Sequence, residues 1–539
     1  MTRTGPSLRW WPLSAIVVLA AGALIFIWVA DAPHRQNQVM QTLAVMICTL
    51  GLTSLWLLFL SRLRWKIRLL SAGAFALLGT AAAISLRIGG VSGDLVPILE
   101  WRWAEKAGGQ AMAPAAPGAA TTDTGSPPTR NDYPQFLGPQ RNASVPGIRL
   151  GRDWSRQAPR LLWRQSIGAG WSAFAVAGNV AITQEQHGER EMVICRDLHT
   201  GQILWSHADS TRYATTLAGI GPRATPTIAA DRVYTLGATG LLNCLDLTTG
   251  APLWQRDILA DNDAEVTIWG VSGSPLVLDS LVVVSAGGTQ GRSLVSYHKD
   301  TGAFVWGGGS DPKGYSSPQI ATIAGVPQIL IFNRGSVAAH HPQDGRVLWR
   351  REWPNGTECV AQPLPLPGDR VFVSSGYGIG CKLFQIQRHT SDSLQASLVW
   401  ETTRFKAKFA NFVHREGYIY GLDDGILACL DLRTGQRRWK RGRYGHGQVI
   451  LVDDVLLVQA ESGTLILVEA NPQSYRELAR LDALDDKTWN NPALAAPFLL
   501  VRNHREAACY ELPLENASAG GLELGNYGNK GKSNGIKRL

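Results

Sequence analysis

A short repeat in which Asp, Gly and Trp keep a fixed spacing constrains the fold of this chain more than any other feature. In its three clearest copies Gly lies four residues before Trp and Asp lies eight before it: Asp197–Trp205, Asp246–Trp254 and Asp431–Trp439. A shorter copy runs from Asp300 to Trp306, and degraded copies end at Trp349 and Trp400. Because Asp side chains accept backbone hydrogen bonds in turns and Gly adopts a positive φ, each copy predicts a β-hairpin. The Trp then opens the returning strand and packs its ring against the neighbouring sheet.

A second repeated element precedes each hairpin and consists of a turn residue followed by an apolar strand. Its eight copies begin at Gly178, Asp231, Asp279, Gly325, Asp369, Gly417, Asp453 and Ala496. They are separated by 36–53 residues, which is the period of a four-stranded propeller blade. The sequence therefore predicts an all-β fold, an eight-bladed β-propeller.

The two ends of the propeller region supply complementary pieces of one sheet. The eighth blade has inner strands at Phe498–Val501 and Ala507–Leu512, after which the chain turns polar. Leu161–Arg164, near the start of the region, has the pattern of the missing outer strand. Pairing of these ends would remove the last open strand edge. We therefore predict one propeller over residues 131–516, closed by an N-terminal strand, although 539 residues alone suggest about three or four domains.

Three long apolar runs precede the propeller, at residues 11–30, 39–60 and 69–86. Each approaches the roughly 20 residues that a helix needs to cross a bilayer. A signal peptide is the alternative interpretation of the first run. However, the run is longer than the apolar core of such peptides, which is about 7–15 residues, and two further apolar runs follow. We expect residues 1–88 to form a membrane anchor with three transmembrane helices.

The loop charges predict how this anchor is oriented. The loop at 61–68 carries Arg62, Arg64, Lys66 and Arg68, whereas the loop at 31–38 carries only Arg35. Since positively charged loops stay in the cytoplasm, we expect a multi-pass protein of the inner (cytoplasmic) membrane of a bacterium. The propeller then lies in the periplasm.

Two further segments have the composition of chain without a packed core. Residues 89–130 contain Trp101 and Trp103 and then a stretch rich in Ala, Pro, Gly and Thr, which indicates a juxtamembrane segment and a linker. Residues 517–539 form a polar, basic tail that we expect to be disordered. The net charge of +9 comes largely from this tail and the cytoplasmic loop. We therefore expect no nucleic-acid partner; an anionic lipid or cell-wall polymer suits the charge better.

The loops that enter the innermost strands of a propeller meet in one axial funnel, and here they carry unusual polar and aromatic residues. The candidates for a ligand-binding funnel are Arg223, Trp269, Ser272, Lys313, Tyr315, Lys408, Asn411, His446, Gln448 and Asn490. Converging Arg and Lys side chains suit an anionic, planar or carboxylated ligand. Gly, Ser and Pro also recur in such loops for steric reasons, so a purely structural role is favoured for them. Arg223, Lys408 and His446 need partners or water in a narrow channel, so a ligand or partner role is harder to dismiss for these three residues.

The cysteines add little chemistry to this picture. Cys195, Cys244, Cys429 and Cys509 occupy equivalent strand positions in different blades, which indicates small buried apolar residues. Cys359 and Cys381 lie in one blade and are the pair for which a disulfide stays open. The sequence contains no CxxCH, paired CxxC, HExxH, GxxxxGK[ST] or GxSxG motif. We therefore predict no metal site, and the catalytic residues, if the protein has any, stay unknown.

Several motifs resemble those of a known family. The D-x-x-T-G-x-x-x-W repeat resembles the tryptophan-docking repeat of quinoprotein (PQQ) dehydrogenases and of the propeller lipoprotein of the outer-membrane β-barrel assembly machinery. The lead-in Asp132–Asn142 and the segment Gly442–Gln448 resemble membrane-anchored bacterial PQQ-binding-like propeller repeat proteins. The resemblance covers about 385 residues and implies a quinoprotein-like propeller. It says much less about activity, because one fold hosts many functions.

The resemblance leaves two hypotheses for function. In the first, the protein is a binding or scaffold module that presents its propeller to a periplasmic protein or an anionic ligand, and no cofactor is certain. In the second, it is a PQQ-dependent dehydrogenase of alcohols or sugars, with PQQ stacked on Trp269 and calcium beside it. Such enzymes hold calcium with a Glu and an Asn and use an Asp as base. Asp311 is the nearest acid to the funnel but matches no family motif, and the sequence has no Cys-Cys pair. The first hypothesis is therefore preferred.

Overall fold

The computed structural model describes residues 8–30, 34–104, 132–354, 358–389 and 393–515. Most of the predicted linker and the whole predicted basic tail lie outside these ranges. The three apolar runs form helices: α1 (Trp11–Val29), α2 (Arg35–Leu55, extended by a π-helical turn at Trp56–Leu60) and α3 (Trp65–Ser85). Each run is long and apolar enough to cross a membrane. Helices suit such sequences because all their backbone polar groups are hydrogen-bonded within the helix.

A two-stranded hairpin follows α3 without an intervening loop. It consists of β1 (Leu86–Val91) and β2 (Pro97–Trp101), paired antiparallel with a turn at residues 92–96. Its register places Leu86 opposite Trp101 and Val91 opposite Pro97. We call it the juxtamembrane hairpin.

Eight sheets of antiparallel strands follow, each built as a meander from the axis outwards. The strands of blades one to four are β5 (Ala175–Ala177), β6 (Val180–His187), β7 (Arg190–Asp197) and β8 (Ile203–Asp209); β11 (Thr227–Ala229), β12 (Arg232–Leu236), β13 (Leu241–Asp246) and β14 (Pro252–Asp257); β15 (Leu276–Leu278), β16 (Leu281–Gly288), β17 (Arg292–His298) and β18 (Phe304–Gly308); β19 (Gln319–Ile323), β20 (Val326–Asn333), β21 (Ser336–His340) and β22 (Val347–Glu352). A small ribbon, β9 (Ala214–Thr215) with β10 (Gly219–Ile220), and a 3₁₀ turn at Ala260–Asn262 lie in the connections.

Blades five to eight repeat this plan. Their strands are β23 (Leu364–Leu366), β24 (Arg370–Ser375), β25 (Gly380–Arg388) and β26 (Leu394–Thr402); β27 (Phe412–Arg415), β28 (Tyr418–Asp423), β29 (Ile426–Asp431) and β30 (Arg437–Arg443); β31 (Gln448–Val452), β32 (Val455–Gln459), β33 (Thr464–Glu469) and β34 (Glu477–Asp482); β35 (Ala493–Ala495), β36 (Phe498–Arg502) and β37 (Glu506–Glu511). The second strand of every blade begins one or two residues after the predicted turn residue. The predicted eight-bladed propeller is confirmed.

The eighth blade is completed by the other end of the propeller. Strand β4 (Arg160–Ser166) pairs antiparallel with β37 and places Trp163 opposite Cys509. Trp163 and Leu499 thus belong to one sheet, and the predicted closure by an N-terminal strand is confirmed.

The Trp joins its blade to the next one in six of the blades, whereas Trp349 donates to Gln328 Oε1 within its own blade. The indole Nε1 of Trp163, Trp205, Trp254, Trp306, Trp400 and Trp439 donates to a backbone oxygen in the following blade's outer turn at 2.8–3.0 Å. The turn glycine must adopt a positive φ, and it must also leave room for this ring. A Cβ on Gly250, where φ is +71°, would lie 2.3 Å from the Trp205 ring. The repeat therefore encodes contacts between blades as well as the hairpin within each blade.

The lead-in sequence lies against the axis of the propeller. Tyr133 forms a β-bridge with Val176 of blade one, and Pro134 accepts a hydrogen bond from Ile228 N of blade two. Arg141 donates to Ser274 O and Pro275 O of blade three. Strand β3 (Ser144–Val145) then pairs parallel with β31 of blade seven. The lead-in thus packs against the innermost strands of several blades and against the end of the loop that enters blade three.

A candidate ligand cavity in the propeller funnel

The loops that enter the innermost strands meet at one end of the axis, as the sequence predicts, and we call this end the funnel face. Hydrogen bonds from one loop to the next hold them together. Asn411 Oδ1 accepts from Gln362 N, Asn411 N donates to Gln448 Oε1, and Gln448 Nε2 donates to Trp489 O. Asn490 Nδ2 continues this pattern by donating to Ser172 O at 2.8 Å. The three predicted amide residues Asn411, Gln448 and Asn490 thus connect neighbouring blades.

Lys313 also makes internal contacts. Its ammonium donates to Glu265 O at 2.5 Å and to Ala286 O at 3.3 Å, and its side chain is buried. Burial lowers the pKa of Lys313 to about 8, against a smaller opposing effect of the Glu265 charge. In this arrangement Lys313 anchors the loop that bears Glu265.

The turn of the juxtamembrane hairpin occupies part of the funnel. Its Gly93 N donates to Glu461 Oε1 at 2.6 Å. The Lys408 ammonium donates to Gly93 O and to Gln36 Oε1 at the start of α2. The Asp94 carboxylate lies 2.9 Å from His446 Nε2 and 3.2 Å from Arg35 Nε. Two of the predicted cationic residues, Lys408 and His446, therefore face the chain's own hairpin and its carboxylate.

The electrostatics of this contact favour an ionised Asp94. Burial by itself raises the pKa of the Asp94 carboxyl group. The hydrogen bond with His446 and the charges of His446, Lys408 and Arg35 outweigh it, so the pKa lies below its ordinary value. The hairpin strands add two more contacts, because Arg505 pairs with Glu100 at 2.5 Å and Lys487 Nζ donates to Val91 O at 2.9 Å. The hairpin is thus held to the funnel face mainly by charged groups.

Between the hairpin turn and the propeller loops lies a cavity of about 450 Å³. Its lining is Gln36, Ser92, Gly93, Leu95, Trp171, Leu217, Ala218, Arg223, Ile268, Trp269, Ser272, Tyr315, Glu358, Val360, Tyr377, Lys408, Phe409 and Trp489. Five of the ten predicted residues line it: Arg223, Trp269, Ser272, Tyr315 and Lys408. The cavity lies within the range of about 300–1,000 Å³ typical of small-molecule sites.

Arg223 is the most available cation in this lining. Its guanidinium packs over the Tyr213 ring, 4.6 Å from the ring centroid, and donates to the backbone oxygens of Gly221 and Ala218. Among the described residues no carboxylate lies within 4.0 Å of it. Burial lowers the pKa of Arg223 to about 10, against opposing effects of Tyr213 and Glu191, so the group keeps its charge at neutral pH. Glu358 is the one carboxylate among the described residues of the lining, and burial raises its pKa.

Several lining residues were missed by the sequence analysis. Gln36, Ser92, Gly93 and Leu95 come from helix α2 and the juxtamembrane hairpin, outside the repeats that located the funnel. Leu217 and Tyr377 lie in connections that carry no repeat signal. The sequence signal that could have located the hairpin turn is its composition. Asp94 is the only charged residue between Arg87 and Glu100 and directly follows Gly93.

Asp311, the acid considered above, and the buried Glu185 are accounted for by local contacts. Asp311 forms a two-pronged ion pair with Arg350 of outer strand β22, the shortest distance being 2.7 Å. Glu185 is fully buried between His187 Nε2 at 2.8 Å and Arg196 at 3.3 Å. Its burial raises the pKa, but His187, Arg196 and Arg502 together lower it to about 2. Cys359 and Cys381 are not joined by a disulfide.

The donor set of the funnel does not fit PQQ with calcium. Calcium takes several hard oxygen ligands, among which carboxylates are common, whereas among the described residues Glu358 alone supplies a carboxylate to the cavity. Asn411 Oδ1 accepts from Gln362 N, and Asn490 Nδ2 donates to Ser172 O. Asn490 Oδ1 is buried without a hydrogen-bond partner, but Asn490 does not line the cavity. Among residues 8–30, 34–104, 132–354, 358–389 and 393–515, no group of three or more His, Cys, Asp or Glu side chains converges on a metal position.

Comparison with known proteins places this architecture in a family. A family model described as outer membrane protein assembly factor BamB matches residues 153–271 and 189–441, which together exceed half of the chain. The chain belongs to this family. The resemblance to PQQ-like propeller proteins that the repeats indicate is thereby confirmed.

Two characterised proteins are similar in sequence. Outer membrane protein assembly factor BamB of Shewanella oneidensis is 22% identical over 294 residues, covering 52% of this chain and 67% of that protein. Quinoprotein alcohol dehydrogenase PedH of Pseudomonas putida is 30% identical over 139 residues, covering 24% of this chain and 23% of that enzyme. The match to PedH thus spans less than a quarter of the enzyme's length.

Solved structures agree with the fold. Quinohemoprotein alcohol dehydrogenase ADHIIG of Pseudomonas putida matches with a TM-score of 0.50 and 12% identity over 71% of this chain and 80% of that one. The quinohemoprotein alcohol dehydrogenase of Comamonas testosteroni gives the same TM-score and identity over 70% and 80%. BamB of Moraxella catarrhalis matches with a TM-score of 0.48 and 14% identity, over 66% of this chain and 99% of that one. At these identities the two matches with a TM-score of 0.50 establish the propeller fold alone.

Proposed function

We propose that this protein is a membrane-anchored scaffold of the periplasm that binds a partner protein on the outer strands of its propeller. Membership of the BamB family supports a protein-binding role. The three apolar helices support anchorage, and the four positive charges of the loop at 61–68 support a periplasmic propeller.

The contacts of the anchor determine which propeller surface is available to a partner. The start of α2 and the hairpin that follows α3 both contact the funnel face, through Gln36–Lys408 and Asp94–His446. The funnel face is therefore directed towards the membrane. The opposite face and the outer strands are directed into the periplasm and are free to meet another protein.

The observation that carries the proposal is a set of apolar side chains exposed on the outer strands of four successive blades. They lie one or two residues before the Trp of the outer strand, at Leu253, Phe304, Val305, Val347, Leu398 and Val399, and are 41–50% exposed. Leu161, at the equivalent position of blade eight, is 46% exposed but is separated from this set by blade one on one side and by blades six and seven on the other. The equivalent positions of blade six are Arg437 and Arg438, both exposed. Outer strands also leave one edge unpaired, and partner peptides add to such edges. The apolar arc over blades two to five is thus the favoured docking surface.

Site-specific photocrosslinking in cells tests the docking surface. A photoreactive residue at Val305 or Val399 of the full chain should give a discrete crosslinked protein, and one at Arg438 should give much less. Val305→Lys with Val399→Lys should abolish crosslinking from a probe at Leu253, while Arg437→Ala should preserve it. Equal crosslinking from all positions in a folded, membrane-inserted protein would overturn the proposal.

The proposed localisation has its own test. Alkaline phosphatase fused after residue 104 should be active, since this enzyme matures only outside the cytoplasm, and the same fusion after Arg64 should be inactive. The opposite pattern would place the propeller in the cytoplasm and overturn the periplasmic assignment.

A further inference from the structure

The cavity in the funnel is built jointly by the propeller and the membrane anchor. Gln36, the second residue of α2, and the hairpin residues Ser92, Gly93 and Leu95 form one side, and propeller loops form the other. Given the membrane anchorage proposed above, α2 leaves the bilayer at this point. The cavity therefore lies at the membrane surface.

The surface around this cavity is unusually apolar. Leu217 and Ile268 line the cavity and are also 38% and 53% exposed, so its apolar wall continues onto the funnel face. Val266, beside Ile268, is 44% exposed. The hairpin adds exposed Trp101 and Trp103, which stack at 4.9 Å. Trp residues are enriched where proteins meet the membrane interface, so this rim is suited to contact lipid.

The charges of the lining differ in how far they are already matched. Lys408 is held by Gly93 O and Gln36 Oε1 and lies near Asp94. Arg223 contacts only backbone oxygens and the Tyr213 ring among its described polar and aromatic partners. A guanidinium has five N–H donors, so Arg223 retains the capacity to bind an acidic group. Burial raises the pKa of Glu358, the carboxylate of the described lining.

We propose that the cavity binds an amphipathic anion from the membrane leaflet that faces the propeller. The acidic head group would pair with Arg223, and the apolar body would lie along Leu217 and Ile268 towards the bilayer. A volume of about 450 Å³ holds the head group and the adjoining part of an apolar chain. The remainder of a lipid would stay in the membrane. This lipid-site proposal rests on the proposed anchorage and is independent of the apolar arc over blades two to five.

Binding of defined amphiphiles to the full chain tests this site. The protein is purified in a non-ionic detergent, and native mass spectrometry and equilibrium titration measure its binding of dihexanoyl phosphatidylglycerol. Dihexanoyl phosphatidylcholine supplies the same chains without net charge, and glycerol 3-phosphate supplies the acid without the chains. We expect saturable binding of phosphatidylglycerol at least about tenfold tighter than of either comparison compound, because ionic pairing and apolar burial are both required.

Substitutions at two positions, Arg223 and Ile268, test where the lipid binds. Arg223→Gln should weaken phosphatidylglycerol binding about tenfold or more, and Arg223→Lys should retain part of it. Arg212→Gln is the matched control, because Arg212 is exposed, pairs with Glu189 at 3.7 Å and does not line the cavity. A second change, Ile268→Ser, removes rim apolar surface without touching the charge and should weaken binding of the lipid but not of glycerol 3-phosphate.

Each outcome decides one point. Equal binding by wild type and Arg223→Gln, with both folded by circular dichroism, would overturn the site. Equal binding of phosphatidylcholine would overturn recognition of the acid, and equal binding of glycerol 3-phosphate would overturn a membrane source. If alkaline extraction released the protein from membranes, the proposed anchorage would fail, while the detergent titration would still report on the cavity. Loss of crosslinking at Val305 would contradict the proposed docking surface, the apolar arc over blades two to five, and would leave the lipid site unaffected.

Discussion

The two ends of the propeller's axial channel are closed by different kinds of contact. The lead-in is held by backbone hydrogen bonds, such as Leu451 N to Ala143 O at 2.8 Å, and by the buried Arg141. The juxtamembrane hairpin is held by ion pairs and charged hydrogen bonds, which involve Asp94, Glu461 and Arg505. One closure is part of the folded core, whereas the other joins two separately encoded units through their surfaces.

This difference has a physical consequence for stability. Groups buried in the core lose most of their solvation, so removal of a partner costs the full desolvation of what remains. Ion pairs at a partly exposed contact contribute less and weaken with salt. We therefore expect the lead-in to open only when the propeller unfolds and the hairpin to open locally.

The largest effect is expected in the lead-in. Arg141 is 2% exposed and donates to Ser274 O, Pro275 O and Gln135 Oε1. Arg141→Ala removes these bonds and leaves buried carbonyl oxygens unpaired, which should lower the free energy of unfolding by about 3 kcal/mol. Denaturant unfolding of the full chain in detergent, followed by circular dichroism, measures this loss.

A surface arginine of the same region provides the control for this change. Arg156 is exposed, and Arg156→Ala should alter the free energy of unfolding by no more than about 0.5 kcal/mol. Equal losses of unfolding free energy from the two substitutions would show that the lead-in is not part of the folded core.

The lead-in and the hairpin also differ in how far they could be predicted. The strand starts, the docking Trp residues and the closure through Trp163 follow from a period that eight copies repeat, so each copy supports the others. Lys408 and His446 could be placed in the funnel because their loops have counterparts in every blade. What they contact could not be predicted, since Asp94 and Gly93 lie more than 300 residues away in sequence. A single turn without repeats gives no period from which its docking site could be inferred.

The roles of the funnel amides show a second limit. Asn411, Gln448 and Asn490 have the side chains of a polar site, and the sequence cannot distinguish a ligand from a neighbouring backbone as their partner. In the structure a backbone group of the adjacent loop is a hydrogen-bond partner of each of these side chains. Arg223 differs from these amides because its guanidinium donates to backbone oxygens and to no side-chain oxygen of the described residues. Only the three-dimensional contacts show this difference.

An intermediate effect is expected when the hairpin loses its main acceptor. Glu461 accepts from Gly93 N at 2.6 Å, His446 N at 3.0 Å and Trp489 Nε1 at 2.9 Å. Glu461→Ala should speed hydrogen exchange of residues 86–101 about tenfold, which corresponds to about 1.4 kcal/mol. Exchange mass spectrometry of the full chain measures this change. The lead-in peptides should keep their wild-type rates, and so should the hairpin in the control Glu477→Ala, which alters an outer strand. Faster exchange of both closures would indicate a single cooperative unit.

The smallest effect is expected from the single charge of Asp94, and it can be produced by pH as well as by mutation. Although burial alone raises its pKa, His446, Lys408 and Arg35 lower it below the ordinary value of 3.8 in the docked state. A group with a lowered pKa stabilises the state in which it is ionised at pH values above its ordinary pKa, and this stabilisation disappears as the pH falls through the lowered value. Hydrogen exchange of residues 86–101, corrected for the intrinsic exchange rate, should therefore show no pH dependence caused by Asp94 between pH 5 and 8. Below about pH 4 this exchange should become faster.

Asp94→Asn isolates this contribution, because it keeps the shape of the side chain and removes its charge. Exchange of residues 86–101 at neutral pH should rise a few-fold, corresponding to about 1 kcal/mol or less. The variant should also lose most of the acceleration that about 1 M NaCl produces in the wild type, since that salt screens the ion pair with Arg35. Equal salt sensitivity in both proteins would mean that Arg505 and Lys487, rather than the turn, hold the hairpin. The same comparison made on the lead-in should show no salt effect at all, because its one buried cation, Arg141, is bound by neutral oxygens.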